Sequence, residues 1–221
     1  MRIFNTAGPV RPQHDYCLPP LERFNLPDIL FLIEQQKYFV LHAPRQVGKT
    51  SYLLALMEYL NAEGTYHCLY FNVEAAQAMR EDVEAATRVI VGEMASQARD
   101  YLNDLFPQQI MSESLETYGA GALSQVVTRW ANHSEKPLIL LIDEIDALVG
   151  DTLIAVLRQL RAGYTKRPLN FPKSIILCGV RDVRDYRIHS SQNKAVITGG
   201  SAFNIKVESL RMGNFKQNEV E

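Results

Sequence analysis

The chain has 221 residues, 47% hydrophobic and 22% charged, with a formal net charge of −2. That is one or two domains with a full core, not a disordered chain, and the charge provides no whole-molecule basic field for nucleic acid or an anionic membrane. No apolar run approaches the ~20 residues of a membrane-spanning helix, Met1–Phe4 turn quickly into a polar, Pro-rich stretch unlike a signal peptide, and Cys17, Cys68 and Cys178 form no Cys-x-x-Cys pair. A reduced, cytoplasmic chain without disulfides or a structural zinc site is expected.

Residues 1–25 carry four prolines and read as an extended lead-in packed on a core of residues 26–210. A short helix follows, with Pro27 in its first turn and Leu26, Leu30 and Ile33 on one face. Tyr38–His42 is a buried-strand candidate. Over 49–63, Leu53, Leu56, Met57 and Leu60 recur at helical spacing, and Gly64 is placed to stop that helix. His67–Val73 reads as a second strand. From Glu81 to about Leu105 a helical stripe runs through Val83, Thr87, Ile90, Val91, Met94 and Ala98, breaking at Pro107. The glycines at 119–121 open another helix, with Leu123, Val126, Val127 and Trp130 inward. Leu138–Ile142 is a strand buried on both faces and ends in Asp143-Glu144. Asp151 is placed to cap a helix holding Leu153, Val156, Leu157 and Leu160. Ser174–Val180 is a fourth strand and Phe203–Val207 a fifth. Strands alternating with helices imply an α/β fold with a parallel sheet covered on both faces.

The sharpest local signal is Ala43-Pro44-Arg45-Gln46-Val47-Gly48-Lys49-Thr50, between a predicted strand and a predicted helix. There, loop and helix N–H groups converge on an anion, Gly48 admits close backbone approach, Lys49 reaches β/γ oxygens and the Thr50 hydroxyl ligates Mg²⁺. Ala43 stands where the first glycine is usual; it costs little if its φ is negative and strains the loop if φ is positive. Asp143, at a strand's carboxyl end, faces this loop to hold Mg²⁺ with Thr50, and Glu144 is placed to polarise an attacking water. Asp146 reads as a turn or capping residue. None of the five histidines has metal-ligand spacing. Lys166, Arg167 and Lys173 read as a solvated basic loop.

Nucleotide kinases usually set the phosphate-loop strand and the aspartate strand side by side. Here the strand His67–Val73 comes between them along the chain, and Asp143 is followed by a glutamate. Both features point to the additional-strand, catalytic-glutamate class of P-loop NTPases, a three-layer sandwich with five parallel strands in the order 2-3-4-1-5.

Ala-Pro-Arg-Gln-Val-Gly-Lys-Thr-Ser at 43–51, Leu-Leu-Ile-Asp-Glu-Ile-Asp-Ala-Leu at 140–148 and Cys-Gly-Val-Arg-Asp at 178–182 resemble the bacterial AAA-like ATPases, close to the STAND signalling ATPases and the origin-recognition type of AAA+ protein. The resemblance spans about residues 15–215. It implies ATP or ADP bound along 43–51, Ser51 included, with Mg²⁺ as cofactor. It also implies a catalytic set of Glu144, Lys49, Arg181 as the arginine that senses the γ-phosphate, and Asn72 as the polar residue that restrains Glu144. Tyr16, Leu18 and Pro19 fall where the family packs against adenine. Arg158 and Arg161 fall where a neighbour's finger arginine is found, although a solvated helix face also accounts for them. Family members continue into a helical lid, of which residues 211–221 match only the start, so a chain truncated before the lid is expected. Two readings follow: an ATP-hydrolysing molecular switch, favoured by Glu144, or a nucleotide-binding scaffold or truncated remnant with little hydrolysis, favoured by the missing lid. Self-association or an unknown protein partner stays open; no membrane association is expected, and no DNA-binding module is recognisable.

Overall fold

The computed structural model describes residues 14, 15, 17–182, 187–189, 196–198, 202–204 and 206–213. Tyr16, most of the lead-in and all but the first three residues of the 211–221 segment lie outside the described residues. The main sheet contains β1 (Tyr38–His42), β2 (His67–Asn72), β3 (Leu138–Asp143), β4 (Ser174–Gly179) and, after a small antiparallel pair β5 (Arg187–His189) and β6 (Val196–Thr198), β7 (Lys206–Arg211). All pairings in the main sheet are parallel and its order is β2-β3-β4-β1-β7. This is the expected 2-3-4-1-5 order, with β4 inserted between the loop strand β1 and the aspartate strand β3. The last strand differs from expectation: it starts at Lys206. Phe203 precedes it and stacks on Tyr38 with ring centroids 6.5 Å apart, an apolar residue filling the core rather than pairing in the sheet.

Every residue of β3 and β4 is buried, as continuous aliphatic strands between two helical layers must be. Alternation divides the strands cleanly. Val40, Leu69, Phe71, Leu140, Ile142, Ile175 and Leu177 face one core with α3 (Val83–Leu102), α5 (Ala122–His133) and α6 (Gly150–Ala162). Phe39, Leu41, Tyr70, Ile139, Leu141, Ile176 and Cys178 face the other, with α1 (Leu26–Glu34) and α2 (Lys49–Glu63).

Helix boundaries depart from the sequence reading as well. A helix absent from it, α4 (Phe106–Tyr118), fills the stretch after α3. Pro107 occupies the first turn of α4, where its missing N–H would have no partner in any helix, so the proline starts a helix instead of breaking one. Asn103, left-handed with φ 53°, ends α3, and Asp104 Oδ1 accepts the Phe106 N–H at 2.9 Å. Asp151 is not the cap of α6; the helix begins at Gly150 after Val149, and Asp151 lies buried in the first turn, where an acid still complements the helix dipole.

Candidate functional site

The site forms where β1 ends and α2 begins. Residues 43–48 turn the chain between them, and the turn needs left-handed backbone at Gln46 (φ 62°) and at Gly48 (φ 92°). A side chain at position 48 would meet no atom within 4 Å; glycine is required there for its conformation, not for room. Ala43 is not among the residues with positive φ. Alanine in place of the usual glycine therefore adds no strain, and its methyl is fully buried in the α2-side core. Pro44, Arg45 and Gln46 are exposed, Val47 anchors the loop in that same core, and Ser51 is half-buried on the first turn of α2.

Lys49 is only 7% exposed. Its Nζ donates to the carbonyls of Ala43 at 3.1 Å and Pro44 at 3.0 Å, so the loop curls over its own lysine and holds a cation at the helix N-terminus. Thr50 Oγ1 donates to Asp143 Oδ2 at 2.7 Å. Asp143 is fully buried at the end of β3. Its Oδ1 accepts the Glu144 N–H at 2.9 Å and its Oδ2 also accepts the Tyr70 hydroxyl at 3.2 Å. Burying a carboxylate so deeply is costly unless its oxygens are hydrogen-bonded, and here donors come from α2, β2 and its own chain. Burial first, and then Asp143's charge, push the Tyr70 phenol far above its ordinary range. The Cys178 thiol, facing Asp143 from β4, is pushed up for the same two reasons in the same order.

The residues present fit a magnesium ion. Mg²⁺ takes hard oxygen ligands in an octahedron at about 2.0–2.1 Å, which sets neighbouring ligands about 2.9 Å apart. Thr50 Oγ1 and Asp143 Oδ2 are both oxygens, 2.7 Å apart.

Glu144 follows in left-handed backbone with φ 55°, a conformation that a side-chain-bearing residue holds only when its surroundings enforce it. Its side chain is half-buried. Burial, then the charges of Asp143 and Asp146, raise its affinity for a proton, while Lys49 opposes them. Arg181 is exposed just beyond β4 and lines a cleft of about 230 Å³ with Arg45, Asp146 and Val180. Asn72 ends β2 directly opposite Asp143 in register, and its Oδ1 accepts the Glu74 N–H at 2.7 Å in a turn.

Sequence reasoning missed two contributors. Asp146 Oδ1 accepts the Val180 N–H at 3.2 Å and lies 2.7 Å from where a Cβ on Gly179 would stand. Asp146 thus braces the strand end that carries Arg181, and only glycine at 179 leaves it room. Tyr70 is the other. The available signal was its two-residue spacing from Asn72, which puts both on one face of a strand ending at the site.

A family model described as "Nephrocystin 3, N-terminal" matches residues 31–172. A comparison with curated proteins finds none that matches. Among solved structures, the Walker-type ATPase of Pyrococcus abyssi is similar at 14% identity and TM-score 0.56, over 97% of this chain and 58% of that one. Drosophila ORC bound to GC-rich DNA and Cdc6 aligns at 12% identity and TM-score 0.51, over 85% of this chain and 28% of that one. Aeropyrum pernix ORC1 in complex with DNA aligns at 16% identity and TM-score 0.50, over 90% of this chain and 46% of that one. The chain spans from about a quarter to somewhat over half the length of these structures. The shared fold is that of a P-loop ATPase.

Proposed function

The chain belongs to the nephrocystin 3 N-terminal family, and on that premise we propose that it binds ATP with Mg²⁺ and hydrolyses it, acting as a molecular switch of the STAND-like or AAA-like kind. The observation that carries this reading is the set gathered at the end of β3: Thr50 and Asp143 in contact, Lys49 next to Thr50 at the start of α2 and bonded back to the loop, and Glu144 one residue on from Asp143.

Each side chain has a distinct task. The loop N–H groups and the α2 N-terminus receive the phosphates, with Lys49 released from the Ala43 and Pro44 carbonyls onto the β/γ oxygens. Thr50 and Asp143 hold the metal ion, which when bound offsets phosphate charge and fixes the phosphates' position. Glu144 orients and deprotonates a water for attack on the γ-phosphate. Arg181 reaches the γ-phosphate across the cleft it shares with Arg45. Asn72, at the end of the neighbouring strand, limits where Glu144 can turn. The main partner on this reading is ATP or ADP; DNA, present with the Drosophila and Aeropyrum proteins, finds no matching whole-chain charge here at −2. No helix among the described residues is long and apolar enough to cross a membrane.

Calorimetry with ATP·Mg²⁺ on Lys49→Ala tests the loop. A charge-assisted contact of this type is worth about 1.5–3 kcal/mol, so affinity drops by roughly tenfold or more. Equal affinity in wild type and variant refutes the assignment.

A further inference from the structure

Asp143 Oδ2 accepts two hydroxyls, Thr50 at 2.7 Å from α2 and Tyr70 at 3.2 Å from β2. Their prospects differ once a metal ion is held. Thr50 Oγ1 would be a ligand through a lone pair, which leaves its proton available to Asp143. Tyr70 is not a ligand in this arrangement; the residue is 8% exposed and packs in the α2-side core. The register Asn72↔Asp143 and the strand's alternation set Tyr70 and Asn72 on the same face as Asp143. The Asn72 side chain is anchored separately: its Oδ1 accepts the Glu74 N–H at 2.7 Å. The Tyr70 hydroxyl thus reaches Asp143 from the adjoining strand, so the contact joins β2 to β3 and involves no loop.

We propose that Tyr70 is a positioning residue for the divalent-metal site: its hydroxyl fixes the rotamer of Asp143 so that the carboxylate meets the ion preoriented. The proposal rests on the reading of Thr50 and Asp143 as metal ligands. Outer partners of this kind orient a ligand and keep a buried carboxylate satisfied, and removing one typically weakens metal affinity about 10–100-fold.

The test is Mn²⁺ binding, followed by electron paramagnetic resonance on the full chain in the presence of ADP. ADP affinity is measured separately in EDTA. Tyr70→Phe keeps the ring and removes only the hydroxyl. The expected result is Mn²⁺ affinity weakened roughly tenfold with metal-free ADP affinity unchanged. An Asp143→Asn background supplies the control that a merely structural tyrosine would not pass. There, adding Tyr70→Phe leaves the already reduced Mn²⁺ affinity where it is, because the hydroxyl acts only through Asp143. Equal Mn²⁺ affinity in wild type and Tyr70→Phe overturns this inference alone, as does an equal further loss in the Asp143→Asn background. A wild-type chain that binds ADP but takes up no Mn²⁺ overturns both this inference and the metal-ligand reading beneath it.

Discussion

Glu34 ties three elements together at the end of the sheet away from the site. It closes α1, accepts the Tyr66 hydroxyl from the approach to β2 and receives Lys173 Nζ at 3.1 Å from the approach to β4. The Tyr66 hydrogen bond and then the Lys173 one hold its carboxyl below the ordinary value of 4.5, against a smaller opposing effect of burial. A carboxylate depressed in the folded state adds stability that is present above its ordinary value and is lost as pH falls through the folded one. The group is largely exposed, so the contribution is small. Melting temperatures of wild type and Glu34→Gln should therefore converge as pH falls below about 4.5; curves that stay parallel would contradict this. At the same scale, one side-chain contact was legible in the sequence. The meeting of Thr50 with Asp143 was anticipated from a hydroxyl after the loop and a carboxylate at a strand's carboxyl end. Tyr70 and Asp146 were not legible, because tyrosine in a strand and aspartate in a turn are what ordinary packing and turn chemistry supply. Only the contact with Asp143, or with the bare Gly179 backbone, distinguishes them.

Among the elements, strands and helices with strong periodicity were readable, and those set by a local hydrogen bond were not. The aliphatic runs of β3 and β4 declare burial on both faces. The start of α4 depends on Asp104 holding the Phe106 N–H and on a proline that reads equally as a breaker or an initiator. The start of α3 is similar. Asp82 Oδ1 accepts the Ala85 N–H at 3.0 Å, so the helix begins at Val83 and not at Glu81. Removing such a cap costs about 1 kcal/mol. Asp82→Ala should lower the free energy of unfolding by about that much in urea, with an unchanged denaturant slope; an unaltered midpoint would mean that packing of the Ala86, Ile90 and Met94 stripe alone sets the helix.

For the whole molecule, strand order carries the functional argument. Inserting β4 between β1 and β3 brings three strand ends to one rim, supplying Asp143-Glu144 from β3, Arg181 beyond β4 and the phosphate loop from β1. That order could be anticipated from the strand between the loop helix and the aspartate strand together with the Asp-Glu pair. On the proposed function, this rim binds ATP and also hydrolyses it. Glu144→Gln retains shape and hydrogen bonding while removing the base, and a positioned base contributes about 10²–10⁴ in rate. The decisive measurement is single-turnover hydrolysis of ATP·Mg²⁺ by wild type and Glu144→Gln at saturating protein. The account predicts nearly equal ATP affinity and a rate at least roughly tenfold lower in the variant; equal single-turnover rates would contradict it and leave a nucleotide-binding scaffold.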